Sequence, residues 1–339
     1  MIRRTGLLTF AWLAATASAS ADDVADFYRG KTITIATGTA PGVSVYDAAN
    51  RMMTRFLPKY VPGNPSVVVR NMPGASHAAA TDYVYNIAVR DGLTVSTVQP
   101  YVVLNRITNP AAKYDPAEFT WLARLAPITA LGFVLTDTGV TDIAGAKAKE
   151  IILGSAGATG PAAMTPWALN RMIGTKFRVV RGYTDDTAEF LALDRHEIQG
   201  IGSVSYASIA QKPGWLAEGR VKLLYSISLA RLKQTPNVPA LPELVTADRD
   251  RAVVGLLAAI PTIGLTVFAP PKIPADRAAA LRQAVAQMAG DVDFLAEMKK
   301  ADVDIEPLSG DDLAGMVVKA MQTPSRVVDE LKRLTAPPD

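Results

Sequence analysis

The sequence predicts an α/β protein of two lobes, and three observations carry that expectation. Short β-branched runs alternate with helix-spaced apolar stretches. The alternation is interrupted near Pro127 and a second series of runs follows. A late run then returns near the C-terminal third of the chain. In the first series, strands are expected at Thr32–Thr37 (TITIAT), Ser66–Arg70 (SVVVR) and Thr94–Val98 (TVSTV), with helices at Val45–Leu57 and Ala78–Val89 between them. Strands separated by helices of this length imply parallel βαβ units. The second series is expected at Leu131–Thr136, Ile151–Ser155, Phe177–Val180 and Val221–Ser226, and the return run at Leu265–Ala269.

From Asp276 onward the sequence reads as helices only. Asp291 can cap DVDFLAEMKK, and Ser309 with Asp312 resembles a capping box. There is no internal repeat and no low-complexity segment. The prolines at Pro58–Pro65, Pro236–Pro242 and Pro270–Pro274 lie between apolar runs and read as ordered loops. Crossings between lobes are expected near Pro127–Thr136 and Pro261–Pro270. Lobe 1 is then 22–130 with 262–339, and lobe 2 is 131–261.

Residues 1–21 have the pattern of an export signal. Arg3 and Arg4 precede a short apolar stretch from Gly6 to Ala15, and Ala19-Ser20-Ala21 offers a small-residue cleavage site. The paired arginines leave twin-arginine export open beside ordinary secretion. Cleavage near Ala21 would remove two of the 35 basic residues and none of the 32 acids, so the remaining net charge is near +1. With that balance and no basic stripe, a nucleic-acid partner is not expected. A chain of this length can hold two separate cores. It has no cysteine, which excludes disulfides, thiolate metal sites and cysteine nucleophiles and suits a periplasmic protein. Ala252–Pro271 carries no charge, but Pro261 and Gly264 within it favour a helix end followed by a buried strand over a membrane span.

In parallel sheets, ligands sit beyond the carboxyl ends of strands, where loops enter helix N-termini. The first such loop is Gly38 to Asp47, in which Thr39, Ala40, Gly42, Val43 and Ser44 can present backbone N–H groups to an anion. The second is Gly154 to Gly160, where Ser155 and Thr159 add hydroxyls to the backbone of Ala156 and Gly160. No Lys-Ser or Lys-Thr pair follows it, so it is not a nucleotide P-loop. Gln99 and Tyr101, at the end of the third strand, and Tyr183, Ser203 and Tyr206 in the second series should face the same cleft. A third loop, Asn71 to His77, follows SVVVR and brings Gly74, Ser76 and His77 to it.

At this third loop a resemblance emerges. VVVRNMPGASHAAA resembles the VVxNxPGAGG-type signature of the tripartite tricarboxylate transporter receptors, the Bug family. APGVSVYD is similar to that family's PGGxxD loop and GSAGATG to its small-residue loop after the crossover. RVKLLYSISLARLKQTPNVPALPE and TVFAPPKIPADRAAALRQAV are similar to its late strand and its return strand. The blocks keep the family's order over roughly Asp26 to Leu334. The resemblance implies a periplasmic binding protein-like fold whose lobes close over a small carboxylate. It implies delivery of that ligand to membrane transporter subunits, action as a monomer, and no cofactor. It also implies that Thr39–Ser44 and Ser155–Gly160 hold one carboxylate largely through N–H groups. Asp47 matches the family's loop aspartate.

The sequence departs from the family pattern at three points. Val43 replaces a second glycine, and Gly38-Thr39-Ala40 lacks the usual aromatic before the proline. Arg181-Gly182-Tyr183-Thr184-Asp185-Asp186 replaces the common Pro-Tyr-Lys-Gly version, and two acids there would repel a second carboxylate unless they face away. The expected ligand is therefore a monocarboxylate, or an acid with a neutral or cationic far end. The alternatives are a sensing module for a membrane kinase and a secreted α/β enzyme. The enzyme reading is the weaker, because no G-x-S-x-G elbow is present and neither Ser155 nor Ser203 has an evident histidine partner. Two histidines without cysteines make no metal site.

Overall fold

A computed structural model describes residues 23–42, 44–74 and 77–338, so the expected export signal at 1–21, Val43 and Ser76 lie outside the described residues. The strands are β1 (Thr32–Thr37), β2 (Ser66–Asn71), β3 (Thr94–Thr97), β4 (Thr120–Ala126), β5 (Ala130–Leu135) and β6 (Ile151–Ser155). They continue with β7 (Phe177–Arg181), β8 (Gly200–Ser205), β9 (Val221–Ile227), β10 (Leu265–Ala269) and β11 (Leu308–Ser309). They form two mixed sheets, β11-β4-β10-β3-β1-β2 and β7-β6-β8-β5-β9.

The βαβ expectation holds where strand and helix alternate: β1 lies parallel to β2 and β3, and β6 lies parallel to β7 and β8. It does not extend to the crossing strands, since β10 runs antiparallel to β3 and β4, and β5 antiparallel to β8 and β9. The all-helical expectation after Asp276 is corrected by β11, a two-residue strand on the edge of β4. The two caps expected there do form. Asp291 Oδ1 accepts the N–H groups of Asp293 and Phe294, and Ser309 Oγ accepts that of Asp312 at 3.1 Å.

The chain passes between sheets over residues 127–129, and again after the Asp248–Ile263 helix, which continues through Pro261. The two passages lie side by side, with Ile128 N–H donating to the Pro261 carbonyl at 3.0 Å. Gly264 is required at the second passage. Its φ is +81°, and a Cβ there would lie 2.1 Å from the Ala126 carbonyl oxygen. A third passage follows Met321. The Ser325–Thr335 helix packs on the Pro161–Ile173 helix of the second half, and Arg171 donates to the Leu334 and Ala336 carbonyls at 2.8 Å each. Among the described residues no helix is long and apolar enough to cross a membrane.

Each sheet has its own apolar core, around Ile33, Met53 and Leu281 in the first half and around Phe133, Phe190 and Trp215 in the second. A third cluster, including Trp121, Leu257 and Phe268, joins residues of both halves. A polar seam lies between the halves beside the 127–129 passage.

Candidate ligand-binding cleft

A cavity of about 90 Å³ occupies that seam, with Ile128 and Ala130 of the first passage among its lining residues. Both strand-to-helix junctions reach it.

The first wall is the turn after β1. Thr37 Oγ1 donates to the Thr97 carbonyl and Asn71 Nδ2 donates to the Thr39 carbonyl at 2.6 Å, so β2 and β3 hold the turn from both sides. Ser44 caps the Val45–Phe56 helix, its hydroxyl accepting the Tyr46 N–H. Ala40 and Val45 line the cavity at the positive end of this helix, and no acceptor among the described residues takes their N–H groups. Asp47 does not line the cavity. Its carboxylate accepts the Gly42 N–H at 3.2 Å and Arg51 Nε at 2.8 Å, which fixes the loop from behind.

His77 lines the cavity, and burial lowers its pKa to about 3, so the imidazole is neutral. Its Nδ1 accepts the Gln99 N–H at 3.3 Å, which places the ring proton on Nε2. The ring packs edge-on to Tyr46, and Gly38 leaves room for it: a Cβ at Gly38 would lie 2.4 Å from His77 Cγ. Two hydroxyls of this wall, Thr39 Oγ1 and Tyr101 Oη, are buried without a hydrogen-bond partner among the described residues.

The second wall is the turn after β6. Gly160 and Pro161 open the Pro161–Ile173 helix, and Ala162 lines the cavity with no acceptor for its N–H among the described residues. Ser155 also lines the cavity, but its hydroxyl donates to the Gly157 carbonyl at 2.9 Å, so it braces its own loop rather than offering a free donor as expected. Beside this turn lies the start of the Asp186–Asp194 helix. Asp185 caps it through the Ala188 N–H, and Asp185, Asp186 and Glu189 all line the cavity. The acids therefore face the cleft. Burial, reinforced by Asp185, pushes the Asp186 pKa up to about 6. Burial and the neighbouring Asp186 and Asp185 push Glu189 well above the usual carboxylate range, against the stabilising Ala156 N–H.

Of the expected site residues, the cavity brings together Thr39, Ala40, Ser44, Gly74, His77, Gln99, Tyr101, Ser155, Ala156, Gly160 and Ser203. Gly42, Asp47, Thr159 and Tyr183 are not among its lining. Gly42 approaches Thr187 of the second half at the rim, while Tyr183 packs beside Gly154 and Ile198 within the second half. Glu189, Tyr46 and Thr187 were not expected. Glu189 stands four residues after Asp185 and three after Asp186, and that spacing is the signal that could have revealed the acidic face.

By sequence, no family model and no curated protein matches the chain. In three dimensions it superposes on the periplasmic binding protein BugD with a TM-score of 0.72, at 16% identity, over 91% of this chain and 98% of that one. It superposes on an R. palustris protein solved with adipate at a TM-score of 0.69 and 19% identity, over 91% and 97% of the two chains. MatC from Rhodopseudomonas palustris, with bound malate, gives 0.65 at 18% identity over 91% and 99%. The fold expected from the resemblance is the one observed: two mixed α/β halves in the arrangement of the periplasmic binding proteins.

Proposed function

We propose that the chain is an exported solute receptor of the tripartite tricarboxylate transporter type, a divergent member of the Bug family. Its two lobes, 22–130 with 262–321 and 131–261 with the returning Ser325–Thr335 helix, close on a small organic acid in the periplasm and present the closed form to membrane transporter subunits. The observation that supports this most strongly is the cavity itself. Two helix N-termini, one from each half, line the same small space above paired chain passages that can act as a hinge. Neighbours of the same fold were solved with adipate and with malate, which supports a carboxylate as the shared ligand group.

A thermal-shift screen against organic acids, amino acids included, tests the reading. An acid at 100 times its Kd should add about 2.7 kcal/mol of stability and raise the melting temperature by several degrees. A cooperative melt that no acid moves would reject it.

A further inference from the structure

We propose that the cleft takes a short amino acid with a single carboxylate, whose ammonium group is received by Asp185, Asp186 and Glu189. This rests on the receptor reading and names the class of its ligand. Three carboxyl groups line one side of the cavity, and among the described residues no lysine or arginine lines it. Glu189 is only 2% exposed, and no salt bridge reaches Asp185, Asp186 or Glu189 among the described residues. A buried carboxyl without a cation costs stability, and such groups collect where a ligand supplies the missing charge.

The opposite side has the complementary character. Thr39 and Tyr101, 6% and 4% exposed, both line the cavity, and both carry buried hydroxyls without a partner among the described residues. Two unpartnered hydroxyls in so small a space are open to a ligand's polar atoms. Ala40, Val45 and Ala162 offer N–H groups to the same space. Donors and positive helix ends thus reach the cavity from both walls, and the acids from the second wall alone. A dicarboxylate would press its second carboxylate on the acids, and a simple monoacid would leave them unpaired. A zwitterion satisfies both sides. At about 90 Å³ the space is smaller than the ~150 Å³ cavity that admits benzene, which points to a short chain.

The test is titration calorimetry at pH 7.5 with matched probes: the α-amino acids with uncharged side chains, β-alanine and 4-aminobutanoate, against propanoate, butanoate and succinate. At least one amino acid should bind tenfold or more tightly than its deaminated counterpart and than succinate. Asp186→Asn and Glu189→Gln should each shrink that ratio tenfold or more. Because the buried Glu189 variant could misfold, the wild-type panel decides the matter without it. If succinate or a simple monoacid binds more tightly than every amino acid, the zwitterion is rejected while the receptor reading stands. If no probe of any kind binds a cooperatively melting protein, both are rejected.

Discussion

The two walls of the cleft are assembled from the same parts yet have opposite electrical character. Each begins with a strand end, runs through a small-residue turn and enters a helix N-terminus, at Ser44 on one side and Gly160 on the other. On the first wall the turn is braced from outside, by Asn71 and Asp47, and no acceptor among the described residues takes the Ala40 or Val45 N–H. On the second, Ser155 braces its own turn and the Asp186–Asp194 helix brings acids beside it. The repeated strand-turn-helix unit therefore sets where a ligand lies, while the neighbouring elements set which charge it must carry.

This contrast predicts opposite stability effects for substitutions on the two walls. The largest belongs to the first. Gly38→Val would drive a side chain into the His77 ring and its backbone, so the melt should fall by about 2–3 kcal/mol and ligand binding should be lost. An unchanged melt would show that His77 does not anchor this wall.

On the second wall the sign reverses. The Asp186 pKa of about 6 lies above its ordinary value, so between roughly pH 4 and 6 the native state holds a proton that the unfolded chain has released. The stability from this group is fully present below about pH 4 and is lost as pH rises through 6. Asp186→Asn should therefore stabilise the unliganded protein by about 1–2 kcal/mol at pH 7.5 and by little at pH 4, read from urea melts at the two values. Equal shifts at both would contradict the assignment.

Two smaller effects sharpen the comparison. Asp47→Ala frees the Gly42 N–H and Arg51, and should cost about 1 kcal/mol and weaken every ligand about tenfold. It should leave the preference between an amino acid and its deaminated counterpart unchanged, because that preference resides on the other wall. Thr39→Val removes a buried hydroxyl with no partner. Stability should move by no more than about 0.5 kcal/mol, while calorimetry should find binding severalfold weaker.

Most of the first wall was legible in the sequence, because β-branched TITIAT and SVVVR and the Pro-Gly turn between strand and helix are local signals. β1, β6 and β10 fall where those signals place them. Besides the two-residue β11, two strands carried no such signal. TWLARLA of β4 is rich in helix formers, and GIGSVS of β8 is poor in β-formers, yet β4 lies almost wholly inside the first sheet and β8 inside the second, where burial decides. Tyr101 was expected at a strand end and instead opens a helix, Tyr101–Thr108, which buries its ring. The acidic wall was half legible: the charge of Asp185 and Asp186 was plain, but their direction depends on how the Asp186–Asp194 helix docks against β6 and β8. That docking is a tertiary fact with no local trace.

The most direct test of the shared-cavity claim is a crystal structure with the tightest-binding acid from the screen. The expected result is one carboxylate lying between Ser44–Tyr46 and Gly160–Ala162, with both halves closed on it. A ligand contacting a single half, or seated away from these two turns, would contradict it.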